Sequence, residues 1–270
     1  MKALYIILGY PIPKKFHGSD SGYALRPLNL TETVSVEDRL FQQGQEQKIP
    51  KGATTLIFPD VETNMDEWLT LAEFSLSLLT QTGHPSLALV ASFKDGACNF
   101  ARYLGQQSMV VAAPNFSKGL SGKAIVQWLR RCAVARTNLK ARITVMASRY
   151  VRYHNGNNLA DGLMDLCISL ESLLDSQTEI SFRFSTCLSR VVGERGAGGE
   201  RMANLLSRLY DIRSKLAHGD PEATKLLKKI EPDLPELNKL ARKILTTYVL
   251  YMSEHSREDW RNHIRSCLFS

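Results

Sequence analysis

Residues 205–221 read LLSRLYDIRSKLAHGDP, and this stretch decides how the second half of the chain is interpreted. Its apolar residues recur at helical spacing, which predicts one face packed against a core. Gly219 followed by Pro221 is typical of a helix that stops at that point. The stretch therefore predicts a helix over residues 201–218 with a defined C-terminal end.

The helical pattern continues on both sides of this stretch, from residue 122 to residue 268, and predicts a bundle of about six helices with short loops. The front of the chain is different, because it mixes one helix with β-rich runs. The predicted strands are residues 3–9, 54–58, 87–93 and 109–113, and the helix is residues 65–80. We therefore predict an α+β protein, with a small N-terminal α/β or α+β domain (1–117) before a C-terminal all-α domain (118–270).

Two stretches rich in Gly, Pro and polar residues are predicted to be irregular. Residues 11–53 are predicted as loops with one short helix near residues 36–42. Residues 193–200 (GERGAGGE) are predicted as a loop before the helix that carries the opening stretch.

The formal net charge of +7 is unevenly distributed. The chain up to Ser117 carries a net −2, and the remainder carries +9. A basic C-terminal domain is typical of a protein that binds a polyanion, RNA or DNA more often than a membrane. The alternative is a solvated face that only keeps the protein soluble.

Little chemistry is indicated outside the basic half. The five cysteines form no CxxC pair, so we predict free thiols, a reducing compartment and no zinc site. The apolar run at the N-terminus is too short to span a membrane and lacks a cleavage site, which favours a cytoplasmic protein. His17 and His84 have no partners at metal-ligand spacing, and no phosphate-binding loop follows a strand. We expect no cofactor, and a sensing, regulatory or assembly role for residues 1–117.

Arg213 and His218 form the candidate site of the basic half. On a helix they are offset by about 140° with a rise of about 7.5 Å, so both can line one cleft at the helix end. An arginine can steady a phosphoryl oxygen while a histidine moves a proton, as metal-free RNA cleavage by the 2′-hydroxyl requires. The alternative is structural, because basic residues in the last turn of a helix also satisfy its carbonyls and dipole.

Three stretches in this order resemble the HEPN superfamily, in particular the subgroup often called Apea-like HEPN. LYDIRSKLAHG at 209–219 is similar to the signature helix of that family, in which Arg and His are separated by four to six residues. SLESLL at 169–174 and ISFRFS at 180–185 resemble two preceding helices. The resemblance covers roughly residues 118–270, and the first 117 residues resemble no family that we can name.

This resemblance implies an α-helical domain that dimerises so that two Arg–His motifs face each other. It also implies a metal-independent endoribonuclease that uses the 2′-hydroxyl as nucleophile and leaves a cyclic phosphate. Carried over to this sequence, Arg213 contacts the scissile phosphate, His218 transfers a proton and Ser214 is a polar helper.

Four further residues are assigned around this motif. Glu171 coincides with the acid of the family's helix core, and we expect it to hold Arg213 or Arg183 in a buried ion pair, with a structural or a catalytic role. Arg183 either binds RNA or pairs inward. Tyr210 is expected in the core with its hydroxyl at the edge of the cleft, and Lys215 is a candidate phosphate contact or a solvated lysine.

The leading hypothesis is therefore an endoribonuclease of phage defence or of a toxin type, acting on single-stranded RNA or tRNA as a homodimer. The N-terminal domain leaves room for a partner protein or a ligand. A second hypothesis is a non-catalytic module that binds RNA or assembles with proteins. A third is an interaction partner of a nucleotide-modifying enzyme, with the basic surface meeting an acidic protein.

Overall fold

The computed structural model of the chain describes residues 2–8, 17–44, 49, 53–59, 65–82, 87–94, 97–103, 115–116, 120–139, 141–156, 158–174, 179–193 and 196–269. The chain divides into two compact units, Met1–Arg130 and Arg131–Ser270. This division lies inside a helix, Gly122–Leu139, whereas the sequence changes character after Ser117. The domain limits stay a prediction.

The N-terminal unit is built on an antiparallel sheet. Its strands are β1 (Lys2–Leu8), β2 (Gly18–Asp20), β3 (Tyr23–Pro27), β4 (Thr54–Pro59), β6 (Leu87–Lys94) and β7 (Ala97–Tyr103), in the order β2-β3-β4-β1-β6-β7. A separate pair joins β5 (Thr80–Thr82) to β8 (Asn115–Phe116). Every pairing among the described strands is antiparallel. The predicted α+β layout is confirmed, and of the two alternatives for the N-terminal domain, α/β or α+β, the antiparallel pairing fits α+β.

The strand β1 lies inside the sheet, paired with β4 on one side and with β6 on the other. On one face, Tyr5 faces Ile57 of β4 and Ala91 of β6. Helix α1 (Leu30–Gln42) covers this face, since its Val36 and Leu40 lie in one core cluster with Ala91. This arrangement explains why the predicted strands at residues 3–9, 54–58 and 87–93 all form.

Helix α2 (Met65–Leu79) packs on the opposite face of the sheet, and the first part of helix α3 (Gly122–Leu139) packs against α2. The rings of Phe58 and Trp68 lie 5.2 Å apart. The indole of Trp128 donates to the carbonyl of Ser75 at 3.0 Å, which ties α3 to α2. Helices on both faces give the sheet a core on each side.

The region predicted as irregular contains a hairpin and a full helix. Strands β2 and β3 are joined by a tight turn in which Ser21 and Gly22 have φ of 50° and 85°. Helix α1 begins at Leu30 rather than near residue 36, because Asn29 and Glu32 form a capping box. Strand β7 was not predicted from the sequence pattern. The predicted strand at 109–113 lies outside the described residues.

The C-terminal unit is helical. After α3 come α4 (Ala141–Asn155), α5 (Leu159–Glu171), α6 (Ile180–Val191), α7 (Gly196–Ala217), α8 (Glu222–Ile230), α9 (Leu234–Met252) and α10 (Arg257–Phe269), with a 3-10 turn at Glu231–Asp233 between α8 and α9. The described residues after 121 contain eight helices, more than the bundle of about six that was predicted. The breaks at Gly219 and Pro232, which separate α7, α8 and α9, lie where the sequence pattern placed them. The stretch 193–200 is not all loop, since α7 already begins at Gly196.

The core of this unit is apolar and continuous across the helices. Buried leucines from α5, α7 and α9 line it, among them Leu166, Leu209 and Leu240. None of the helices in the described part of the chain has the length and the apolar character needed to cross a membrane.

Candidate functional site

The end of α7 is closed by a Schellman motif. The amide of Asp220 donates to the carbonyl of Lys215 at 2.9 Å, and the amide of Gly219 donates to that of Leu216 at 3.2 Å. Gly219 has φ of +67°, a conformation that only glycine adopts without strain. The predicted stop is therefore confirmed, and it leaves His218 as the last residue before the left-handed turn.

Arg213 lies one turn earlier and points toward α5. Its Nη2 atom is 3.3 Å from Oε2 of Glu171, and the two side chains are 31% and 18% exposed. The Glu171 carboxylate, which falls inside the apolar stripe of α5, is thus paired as the sequence predicted, with Arg213 and not with Arg183. Burial raises the pKa of Glu171, and the arginine only partly opposes this shift.

The hydrogen bonds of Arg213 are incomplete. Its Nε atom is buried and has no hydrogen-bond partner among the described residues. The guanidinium carbon lies 5.8 Å from the centre of the Tyr210 ring, close enough for a cation–π contact. Arg213 is therefore held in place from one side and keeps hydrogen-bonding capacity for a further partner.

Tyr210 lies between Arg213 on its own helix and Phe184 on α6. Its ring lies 5.5 Å from that of Phe184 on α6. Burial and the nearby Glu171 carboxylate raise the pKa of the Tyr210 hydroxyl, and Arg213 lowers it. Cys167 on α5 is buried, and burial and the Glu171 charge raise the pKa of its thiol well above its usual value. At neutral pH both groups are thus protonated and uncharged.

Lys215, a candidate phosphate contact, pairs instead with the start of α8. Its Nζ atom is 2.8 Å from Oε2 of Glu222 and 3.3 Å from Oδ2 of Asp220. The hydrogen bonds with Glu222 and Asp220 raise the pKa of Lys215. The two carboxylates balance the positive charge of Lys215, and the pair with Glu222 connects α7 with α8.

Arg183 does not reach the Glu171 carboxylate. Its closest acidic partner is Glu179, with Nη2 4.0 Å from Oε2 on the same helix. Like that of Arg213, its Nε atom is buried without a hydrogen-bond partner among the described residues. The side chain is 21% exposed, so only part of the guanidinium reaches solvent.

His218 and Ser214 are the least constrained of the predicted residues. His218 is exposed, and within the described residues its side chain forms no hydrogen bond, ion pair or ring contact. Its amide donates to the carbonyl of Ser214 at 3.2 Å, which continues the helix to its last turn. Within one chain, then, the structure brings Arg213, Glu171 and Tyr210 together but leaves the His218 side chain apart from them.

The sequence reasoning overlooked a second buried carboxylate. Asp165 of α5 is 7% exposed and lies 2.6 Å from Nη1 of Arg149 and 3.4 Å from Nε of Arg152. The sequence pattern that indicates Asp165 is the same as for Glu171, because each is an acidic residue within the apolar stripe of α5. The two arginines cross-link α4 to α5, which suits a structural role.

Among the described residues, no three His, Cys, Asp or Glu side chains are grouped closely enough to hold a metal ion. No protein-family model, no curated protein and no solved structure matches this chain. The functional assignment therefore depends on the chemistry of the residues around Arg213 and His218.

Proposed function

We propose that this protein is a metal-independent endoribonuclease of the HEPN type, with Arg213 and His218 at its reacting centre. The observation that carries the proposal is the state of these two side chains. Arg213 is anchored by Glu171 through one long contact and keeps a buried Nε atom without a partner among the described residues. His218 is exposed five positions further along the chain, at the helix end where Gly219 adopts a positive φ.

The reaction needs no group beyond these side chains and the RNA itself. The 2′-oxygen forms a bond to phosphorus while the bond from phosphorus to the 5′-oxygen breaks, giving a cyclic phosphate and a 5′-hydroxyl. His218 takes the proton from the 2′-hydroxyl and delivers it to the departing 5′-oxygen, and Arg213 stabilises the charge that develops on the phosphoryl oxygens. Ser214, on the turn that leads to His218, supplies a hydrogen bond to the phosphate.

The active unit in this proposal is a homodimer. A single chain offers one arginine and one histidine whose side chains point about 140° apart on the helix. Two motifs facing each other across a two-fold axis supply both groups to one phosphate. Single-stranded RNA or tRNA is the substrate class, and a cytoplasmic role in phage defence or as a toxin follows from the resemblance. The N-terminal unit then senses a ligand or a partner protein.

A cleavage assay in EDTA on total RNA and on tRNA tests the proposal. We expect the wild type to cut and to leave cyclic phosphate ends, and His218→Ala to lose about 100-fold or more in rate. His255→Ala is the matched control, because His255 is also exposed and follows the end of a helix. The proposal fails if the wild type leaves both RNAs intact, or if His218→Ala cuts as fast as the control.

Mixed dimers test the composite site. Arg213→Ala and His218→Ala homodimers each lack one reacting group, whereas a heterodimer of the two retains one arginine and one histidine on different chains. We expect mixing and re-equilibration of the two inactive variants to restore measurable cleavage. Mass spectrometry verifies that the heterodimer forms. If this heterodimer is fully inactive, the two-chain site is contradicted.

A non-catalytic RNA-binding or assembly module is the second candidate. The observation in its favour is the net positive charge beyond Ser117, which a binding protein needs as much as a nuclease does. RNA binding without cleavage, unchanged in His218→Ala, supports this candidate against the nuclease.

A further inference from the structure

Helix α8 carries an exposed cationic surface, called here the lysine face, made of Lys225, Lys228 and Lys229. The three residues have the i, i+3, i+4 spacing that places side chains on one side of a helix, with about 5–6 Å between neighbouring Cβ atoms. All three are exposed, whereas Ala223 and Ile230 on the other side are buried.

The lysines of this face are not paired with carboxylates of the described residues, unlike three cations of the neighbouring helix. On α7, Arg201 pairs with Glu236, Arg208 with Asp233 and Lys215 with Glu222. None of the three face lysines forms an ion pair with any described residue. The single acidic residue of α8, Glu222, is already engaged with Lys215.

Both ends of α8 are fixed to α7. Glu222 contacts Lys215 at 2.8 Å, and the carbonyl of Lys229 accepts from Nη2 of Arg208 at 2.9 Å. The two contacts are equally spaced along the two helices, so α8 runs back alongside α7. His218 lies in the short turn that joins them, and the lysine face therefore has a fixed position relative to this histidine.

The chemistry of the face favours a phosphate backbone over a protein surface. Protein interfaces are depleted in lysine and depend on aromatic or aliphatic anchors, and this face offers no exposed apolar side chain. A row of ammonium groups suits a chain of regularly repeated negative charges, because each neutralised phosphate releases bound counterions.

We propose that the lysine face binds the backbone of the RNA strand on one side of the scissile phosphate and so holds the substrate against His218. This inference rests on the proposed endoribonuclease function, since it assigns the substrate-docking surface of that site. Base identity has no part in it, because lysine contacts to phosphate carry no sequence information.

The test compares two triple variants of the full chain. Lys225→Gln/Lys228→Gln/Lys229→Gln removes the lysine face, and Lys94→Gln/Lys123→Gln/Arg265→Gln removes three exposed cations elsewhere. Glutamine keeps helix propensity close to that of lysine, so both variants should retain the circular dichroism spectrum of the wild type. Each variant is also made with His218→Ala, so that RNA binding is measured without cleavage.

For the lysine-face variant we expect KM for tRNA cleavage to rise about ten-fold or more at physiological salt, with kcat within about two-fold of the wild type. The plot of log binding constant against log KCl concentration should flatten by about 2, because each lost phosphate contact contributes about 0.7 on single-stranded RNA. The control variant should match the wild type in both measurements.

The outcomes separate this inference from the function on which it rests. If the wild type cleaves RNA and the two triple variants have the same KM and salt slope, the lysine face is not the docking surface and the nuclease stands. If the wild type binds RNA with a slope that depends on the face but cuts nothing, the nuclease fails and the surface stands. Displacement by polyglutamate as effective as by RNA overturns the inference in favour of an acidic protein partner.

Discussion

Two half-buried carboxylates, one in each unit, are paired with arginine in opposite ways. In the N-terminal unit Glu32 accepts from both terminal nitrogens of Arg26, at 2.8 and 2.6 Å, and from the hydroxyl of Tyr5 at 3.0 Å. Burial alone would raise the pKa of Glu32, but the hydrogen bonds from Arg26, the Asn29 amide and Tyr5, together with the charge of Arg26, outweigh it and the pKa is lowered. In the C-terminal unit Glu171 has one 3.3 Å contact with Arg213, and burial prevails and raises its pKa.

The difference separates a saturated ion pair from one whose arginine keeps hydrogen-bonding capacity, as the proposed site requires. Glu32 also closes the capping box of α1, so both of its oxygens accept hydrogen bonds, and both terminal nitrogens of Arg26 donate to it. Glu171 restrains Arg213 without saturating it, and the arginine keeps a buried Nε atom with no partner among the described residues. In the proposed function, this remaining capacity is what binds the phosphate.

The largest expected effect is on catalysis. Arg213→Ala should reduce the rate of RNA cleavage by about 10²–10³-fold, because it removes a positive charge from the developing phosphoryl anion. Arg26→Ala is the matched control, and its kcat should equal that of the wild type at a temperature where both variants are folded. The measurement is the initial rate on saturating tRNA. A reduction of less than about three-fold in Arg213→Ala would mean that this arginine is structural, as Arg26 is.

A third carboxyl group, that of Glu73, shows how burial acts on the pKa when no arginine is paired with the group among the described residues. Glu73 on α2 has no charged partner among the described residues, and burial raises its pKa to about 7. Between the ordinary glutamate pKa of about 4.3 and this value, the folded protein keeps a proton that the unfolded chain has lost. The free energy of unfolding therefore falls by about 3 kcal/mol as the pH rises through this window.

Urea unfolding at pH 5 and at pH 8 measures this fall. Glu73→Gln removes the titrating group, so its free energy of unfolding should depend less on pH than that of the wild type by the same amount. Glu67→Gln is the control on the same helix and should keep the slope of the wild type. Parallel pH profiles for the wild type and Glu73→Gln would show that this carboxyl is solvated.

The two paired carboxylates should differ in stability as they do in pKa. Glu32→Gln is expected to cost about 2 kcal/mol at pH 7, because it breaks hydrogen bonds to a charged partner and the capping box together. Since the pKa of Glu32 is lowered, this contribution is present above the usual carboxyl range and is lost as the pH falls through the folded pKa.

Glu171→Gln should cost about 1 kcal/mol or less at pH 7. The raised pKa of Glu171 reverses the pH trend, so the wild type gains stability relative to this variant as the pH falls. The measurement is urea unfolding of both variants at pH 4, 5 and 7. Equal costs for the two substitutions would remove the distinction between the two ion pairs.

The local features of this fold could be predicted from the sequence. The strand of the apolar run at residues 3–9, the helix over 65–80 and the helix stop at Gly219 all follow from local patterns, and the structure contains each of them. The start of α1 was equally local, since Asn29 and Glu32 have the spacing of a capping box, and the pattern was overlooked.

The partners of the site residues could not be predicted in the same way. Glu171 required a cation, but Arg213 is 42 positions away along the chain and Arg183 was equally eligible. The sequence left Lys215 as a candidate phosphate contact or a solvated lysine, whereas α8 turns back along α7 and brings Glu222 to it. These choices depend on how helices pack, which the spacing of residues within one helix does not specify.

The smallest expected effect concerns the turn that positions His218. Gly219→Ala should cost about 1 kcal/mol of stability, because alanine at φ +67° is strained even though an added Cβ would meet no atom within 4 Å. Gly193→Ala is a close control, since Gly193 follows the end of α6 with φ +75° and equally open surroundings. Both variants should therefore lose similar amounts of stability in urea unfolding.

Only Gly219→Ala should also slow RNA cleavage, because relief of its strain shifts the turn that carries His218. A several-fold loss of kcat at 25 °C, where both variants remain folded, would separate the placement of the histidine from the stability of the unit. Equal rates for the two variants would show that the histidine reaches the phosphate whatever the conformation of the turn, and its position at the helix end would then carry no catalytic meaning.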